Sequence, residues 1–180
     1  MEAPGAPDHG WLKDLVRDVP DFPKPGVVFK DITPLLGDAR AFVYTIEALA
    51  AAVPTSGKID KVLGIEARGF MIAAPLAYRE RAGLVPVRKK GKLPWHVEAM
   101  EYQLEYGADR LEIHKDAIAP GEEVLIVDDV LATGGTARAT ASLVESCGGR
   151  VAAIATLMEL TFLEGRRAIE GYPYVNLISY

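Results

Sequence analysis

The stretch Val124 to Ala137, VLIVDDVLATGGTA, sets two consecutive carboxylates and a threonine-glycine turn directly behind a run of branched apolar residues. Each part has a chemical use. Glycines let backbone amides approach an anion, threonines add hydroxyl donors, and a helix start offers unsatisfied N–H groups with a favourable dipole. Ala132, Thr133, Gly134, Gly135 and Thr136 are therefore candidates to hold a phosphate. Asp128 and Asp129 fall at the carboxyl end of the strand, where open α/β sheets take ligands, and carboxylates accept hydrogen bonds from vicinal sugar hydroxyls. Together they describe a site for ribose 5-phosphate. A bare TGGT would only turn a strand into a helix; the fourteen-residue string is what gives the signal its specificity. There is no GxxxxGK[ST] loop and no GxGxxG, so Walker-type nucleotide hydrolysis and dinucleotide binding lack their phosphate-gripping residues.

Two further sets of charges could act on an anion. Arg68 follows the apolar run Lys61 to Ile65, where a guanidinium at a strand's carboxyl end can clamp pyrophosphate bidentately. Arg88, Lys89, Lys90 and Lys92 crowd four positive charges around Gly91 on a chain of net charge −5, a local anion trap that charge alone would read as a solvated loop.

Positioning these groups requires a sheet. Lys61 to Ile65, Leu84 to Val87, Val124 to Val127 and Val151 to Leu157 read as buried strands, alternating with helical spacing over Arg40 to Val53 and Thr136 to Cys147. That order predicts an α/β fold, a parallel sheet flanked by helices. Phe70 to Arg81 is also helical in pattern, but Pro75 implies a kink or a later start. Four prolines between Val19 and Pro34 predict an irregular, loop-rich lobe. Alternation through Met100, Tyr102, Leu104 and Tyr106, followed by Gly107 and a return through Leu111 and Ile113, predicts a β-hairpin.

At 180 residues and 49% hydrophobic composition, one well-buried core is expected, hence a single domain over 1–180 with residues 1–10 fraying. The acidic balance gives no general attraction to nucleic acid or an anionic membrane. No apolar run nears the roughly 20 residues that span a bilayer. Cys147 is the single cysteine, without zinc-type ligand spacing, which suits a reducing compartment. Met1 to Gly10 lacks the apolar core of a secretory signal, so a soluble, cytoplasmic protein is expected.

The VLIVDDVLATGGTA string resembles the phosphoribosyl pyrophosphate motif of type I phosphoribosyltransferases. FPKPGVVFKDITPLL, GIEARGF, VRKKGKLP and YQLEYG, in this order, extend the resemblance from about Val19 to the C-terminus and bring it closest to the adenine branch of that family. The resemblance implies transfer of a phosphoribosyl group from phosphoribosyl pyrophosphate to adenine, giving AMP and pyrophosphate in purine salvage. It implies a type I phosphoribosyltransferase fold with a base-covering hood over 19–36 and a basic loop and hairpin flap over 88–115. It assigns Arg68, Arg88, Lys89 and Lys92 to pyrophosphate, with Arg88 reaching the site of the neighbouring subunit of a homodimer. Glu105 becomes the acid/base group near the purine. Val28, Phe29, Lys30 and Leu160 become base-binding residues, Phe29 by stacking, with Lys30 standing where arginine is frequent. Mg²⁺ is implied as cofactor, held mainly by substrate and water rather than by protein ligands. The phosphate loop alone would equally serve a transferase for xanthine, hypoxanthine or orotate. The same fold can also serve as a non-catalytic phosphoribosyl pyrophosphate sensor, which would need a DNA-binding addition for which the sequence shows no helix-turn-helix candidate.

Overall fold

Val62, Leu63 and Ile65, and Val124 to Val127, are almost wholly withdrawn from water, and in the computed structural model their two runs lie side by side as parallel strands. Runs apolar on both faces suit a sheet covered on both sides by helices. The structure describes residues 8–54, 57–103 and 108–180. The chain divides into two compact units, Met1–Glu47 and Ala48–Tyr180.

In the first unit a 3-10 turn, Gly10–Leu15, buries Leu12. Strands β1 (Arg17–Pro20) and β2 (Val28–Asp31) then pair antiparallel, from Arg17 opposite Asp31 to Pro20 opposite Val28. The expected irregular lobe is thus partly a two-stranded sheet. Its prolines fit because Pro20 ends β1, Pro23 follows a cis bond in the connecting turn, and Pro34 lies in the first turn of helix α1 (Thr33–Gly37), where its missing N–H would have no intrahelical acceptor. Helix α2 (Ala39–Ala52) begins in this unit.

The second unit is built on strands β3 (Lys61–Ile65), β4 (Gly83–Lys89), β5 (Val97–Gln103), β6 (Ala108–His114), β7 (Glu123–Leu131), β8 (Arg150–Glu159) and β9 (Tyr174–Ser179). They form one sheet in the order β5-β6-β4-β3-β7-β8-β9. Strands β4, β3, β7, β8 and β9 are parallel. The hairpin β5-β6 joins antiparallel through Arg88 opposite Glu112 and Lys89 opposite Leu111. Basic residues 88 and 89 therefore lie in a strand, not in a loop. Helix α3 (Gly69–Glu80) links β3 to β4, and α4 (Gly135–Ser146) links β7 to β8. Pro75 neither breaks nor delays α3; the carbonyl to which it has no N–H to donate, that of Met71, belongs to an exposed residue.

This topology fixes where chemistry can occur. From β3 the chain steps to β4 on one side, and from β7 to β8 on the other, so the connections leave adjacent strands in opposite directions. Right-handed crossovers then put α3 and α4 on opposite faces and open a crevice beyond the carboxyl ends of β3 and β7. Arg68 follows one strand and Asp128 to Thr136 end the other.

Candidate active site

Two adjoining cavities fill that crevice. One, of about 130 Å³, is lined by Asp128, Val130, Ala132, Thr133, Gly134 and Thr136, with Thr156 from β8. The other, of about 300 Å³, is lined by Glu66, Arg68, Lys89, Tyr102 and Asp109, and shares Asp128 and Thr136 with the first.

The floor of the first is the loop Ala132 to Thr136. Gly134 has φ +82°, a left-handed conformation that glycine adopts without steric cost, and it opens α4 so that the first amides of the helix are free of intrahelical acceptors. A Cβ at Gly134 would collide with the Gly165 carbonyl oxygen and come within 2.7 Å of the Ala168 methyl. A Cβ at Gly165 would in turn strike the Ala132 carbonyl oxygen. Two glycines therefore let the 3-10 turn Gly165–Ile169 lie backbone to backbone against the loop.

Asp128 and Asp129 continue β7, one facing the cavity and the other buried. Burial and the Asp129 charge push the Asp128 carboxyl well above its usual range. Burial pushes Asp129 up too, and Arg68 opposes the rise. Arg68 Nη2 lies 2.9 Å from Asp129 Oδ2, close enough to pair although the buried oxygen receives no well-directed hydrogen bond. Such a pair of carboxylates, held in a crevice beside one guanidinium, suits the hydroxyls of a sugar or a hard cation.

The second cavity gathers the cations. Glu66 Oε2 accepts hydrogen bonds from Arg88 Nε at 3.0 Å and from the Lys89 backbone N–H at 2.9 Å, and Lys92 Nζ pairs with Oε1. Burial alone would raise the Glu66 carboxyl, but the Lys92, Lys89 and Arg88 donors outweigh it and bring it down to about 2. Lys89 Nζ pairs with Asp109 at 3.2 Å, and the Tyr102 hydroxyl lies 3.4 Å from the same carboxylate.

A phosphoribosyl transferase domain model matches residues 36–177. Adenine phosphoribosyltransferase of Caldanaerobacter subterraneus is 56% identical over 169 residues, covering 94% of this chain and 97% of that protein. The chain belongs to the adenine phosphoribosyltransferase family. The crystal structure of the family member from Thermoanaerobacter pseudethanolicus superposes with a TM-score of 0.92 at 56% identity, over 96% of this chain and 99% of that one. The Saccharomyces cerevisiae adenine phosphoribosyltransferase, complexed with D-2,5-dideoxy-2,5-imino-altritol 1,6-bisphosphate and adenine, superposes with a TM-score of 0.87 at 39% identity, over 94% and 97%.

Within this family member the crevice brings together Arg68, Lys89, Asp128, Asp129 and the loop Ala132 to Thr136. Arg88 and Lys92 join them through Glu66. Leu160, one residue beyond β8, is fixed by its N–H donating to the Leu131 carbonyl at 2.9 Å. Val28, Phe29 and Lys30 lie in β2 of the first unit, where Phe29 meets Phe22 edge to face at 5.1 Å and Lys30 Nζ pairs with Asp18 at 2.6 Å. Glu105 lies outside the described residues. Glu66, Tyr102, Asp109 and Thr156 were not anticipated from sequence. Glu66 had a signal, standing two residues before Arg68 in GIEARGF; Thr156 had none, since only the register of β8, which sets it opposite Asp128, brings it to the cavity.

Proposed function

We propose that this protein transfers the 5-phosphoribosyl group of phosphoribosyl pyrophosphate to adenine, yielding AMP and pyrophosphate. The observation that carries this reading is the crevice itself: a phosphate loop, two carboxylates and a guanidinium converge at the point where the sheet's connections diverge. The bound bisphosphate and adenine of the yeast relative match the two substrate halves in chemistry.

In this reading Thr133 to Thr136 hold the 5-phosphate, and Asp128 and Asp129 accept hydrogen bonds from the ribose hydroxyls. Breaking the anomeric bond puts positive charge on the ribose and negative charge on the departing pyrophosphate. The two aspartates face the first, while Arg68, Lys89 and Lys92, with Arg88 of the partner subunit, neutralise the second. Mg²⁺ would be held mainly by substrate and water oxygens and would supply charge screening for the departing pyrophosphate. Asp128 and Asp129 supply oxygen donors of the right hardness, and among the described residues no cluster of three or more ligating side chains forms a separate cage. Glu105 takes the purine N9 proton directly or through water, or holds the proton at N7 while N9 attacks. Phe29 stacks on the base, with backbone groups of Val28 and Lys30 and the side chain of Leu160 completing its surroundings. The segment bracketed by Gly91 and Gly107 serves as a lid that keeps water from the activated sugar.

Arg88 serves the site of a neighbouring subunit, which makes the working form a homodimer; the charge-free exposed stretch of α3, with Met71 41% and Tyr78 89% accessible, supports association. No helix among the described residues is long and apolar enough to cross a membrane, and a cytoplasmic enzyme is the reading we adopt. The deciding experiment offers adenine, hypoxanthine, guanine, xanthine and orotate separately with phosphoribosyl pyrophosphate and Mg²⁺. Turnover with adenine alone is expected; turnover with another base instead would overturn the base assignment, and none at all would leave a sensor.

A further inference from the structure

Outside the crevice, Arg166 is held by several bonds at once. Its Nε donates to Glu159 Oε1 at 2.8 Å and Oε2 at 2.9 Å, and its Nη2 to Oε2 at 2.7 Å. Nη2 also reaches Asn176 Oδ1 at 3.0 Å, and the guanidinium lies 4.8 Å from the centre of the Tyr174 ring. Glu159, the last residue of β8, has only 4% of its side chain exposed. A carboxylate so placed demands a partner, and a planar fork that matches both oxygens fixes that partner in direction as well as distance. One end of the pair is therefore anchored in the sheet. The other end is the residue directly after Gly165, whose backbone lies against Ala132 and Gly134.

We infer that Glu159 and Arg166 form a positioning pair for the phosphate loop: the fork holds the Gly165 turn in place as the backing against which Ala132 to Gly134 keep their shape. The inference rests on the reading of that loop as the 5-phosphate site. Neither residue lines either cavity, so the pair acts through the loop and not on the substrate. The intervening segment also carries Leu160, but Leu160 is held independently. Its N–H donates to the Leu131 carbonyl, and Tyr180 ties the neighbouring backbone by donating to the Glu159 carbonyl and accepting from Thr161, each at 2.9 Å. Loss of the fork should be felt at Gly165 and the phosphate, and not at the base.

The test is R166M, which keeps an apolar stem against Tyr174 and removes the fork. The control is R150M, which breaks the exposed Arg150–Glu123 pair at the opposite end of β8. Titration calorimetry with phosphoribosyl pyrophosphate, together with steady-state kinetics, is expected to show affinity for that substrate reduced about tenfold in R166M, the usual scale for removing a group that orients a binding residue. The KM for adenine should stay within about twofold of wild type by the same reasoning, and R150M should match wild type in both. If R166M does not fold by circular dichroism, R166K, which keeps the charge without the fork, is read in its place. Unchanged phosphoribosyl pyrophosphate affinity in a folded variant, or an adenine KM that rises in parallel, overturns the inference. Failure of the wild type itself to bind phosphoribosyl pyrophosphate would instead overturn the reading of the loop.

Discussion

Glu66 and Arg88 meet at 3.0 Å between Oε2 and Nε, so in the free protein an internal carboxylate occupies cations that the reaction would need for pyrophosphate. The same carboxylate also takes the Lys89 N–H and Lys92. On the proposed reading, an incoming pyrophosphate would have to compete with it.

E66Q is accordingly expected to bind phosphoribosyl pyrophosphate more tightly, by roughly fivefold if the partly exposed pairs it weakens contribute about 1 kcal/mol. Titration calorimetry reads this directly, and weaker binding would mean that Glu66 organises the cations. The carboxyl sits at about 2 against an ordinary 4.5. A depressed folded value stabilises the fold above the ordinary value, and that contribution is lost as pH falls from 4.5 towards 2. The Tm advantage of wild type over E66Q at pH 6 should therefore vanish by about pH 2.

Asp128 presents the opposite sign. Its carboxyl is raised by burial and by Asp129, so the folded protein binds more protons than the unfolded chain, and stability falls as pH rises from the ordinary 3.8 through the raised value. D128N takes away the titrating carboxyl, so its Tm relative to wild type should climb as pH rises above 3.8. Thermal melts across that range read the climb, each kcal/mol being worth about 2–4 °C, while kcat should fall by about 100-fold or more if the carboxylate faces the developing charge. A variant that loses both Tm and activity would contradict the electrostatic account.

Gly134 tests the loop itself. In G134V the side chain meets the Gly165 carbonyl and the Ala168 methyl in a backbone conformation of φ +82°, a conflict that costs more than about 1 kcal/mol. Ribose 5-phosphate binding should disappear while circular dichroism still reports a folded sheet. Retained affinity would move the phosphate site elsewhere.

The parallel strands were legible because Lys61 to Ile65 and Val124 to Val127 carry unbroken branched apolar runs, which only a sheet buried on both faces requires. The predicted and observed bounds of β3 coincide. β9 escaped notice: Asn176 interrupts its apolar run, and its side chain is used to bond Ile178 and Ser179. The pairing of β1 with β2 was hidden by prolines that in fact sit at strand ends and turns. At the site, glycines and adjacent carboxylates announce themselves by type. Glu66, Thr156 and Arg166 do not, because their roles come from cross-strand register and from partners 22, 18 and 7 residues away.

The hairpin β5-β6 meets the rest of the sheet at two register positions, and these are Arg88 and Lys89. Tilting the hairpin would therefore pull on the backbone that carries these two cations, and Lys89 is further leashed to Asp109 on the hairpin. The cover and the grip are geared together. In the proposed reaction a lift of the hairpin would loosen the hold on pyrophosphate in the same stroke, so that product escape and the admission of water would share one hinge.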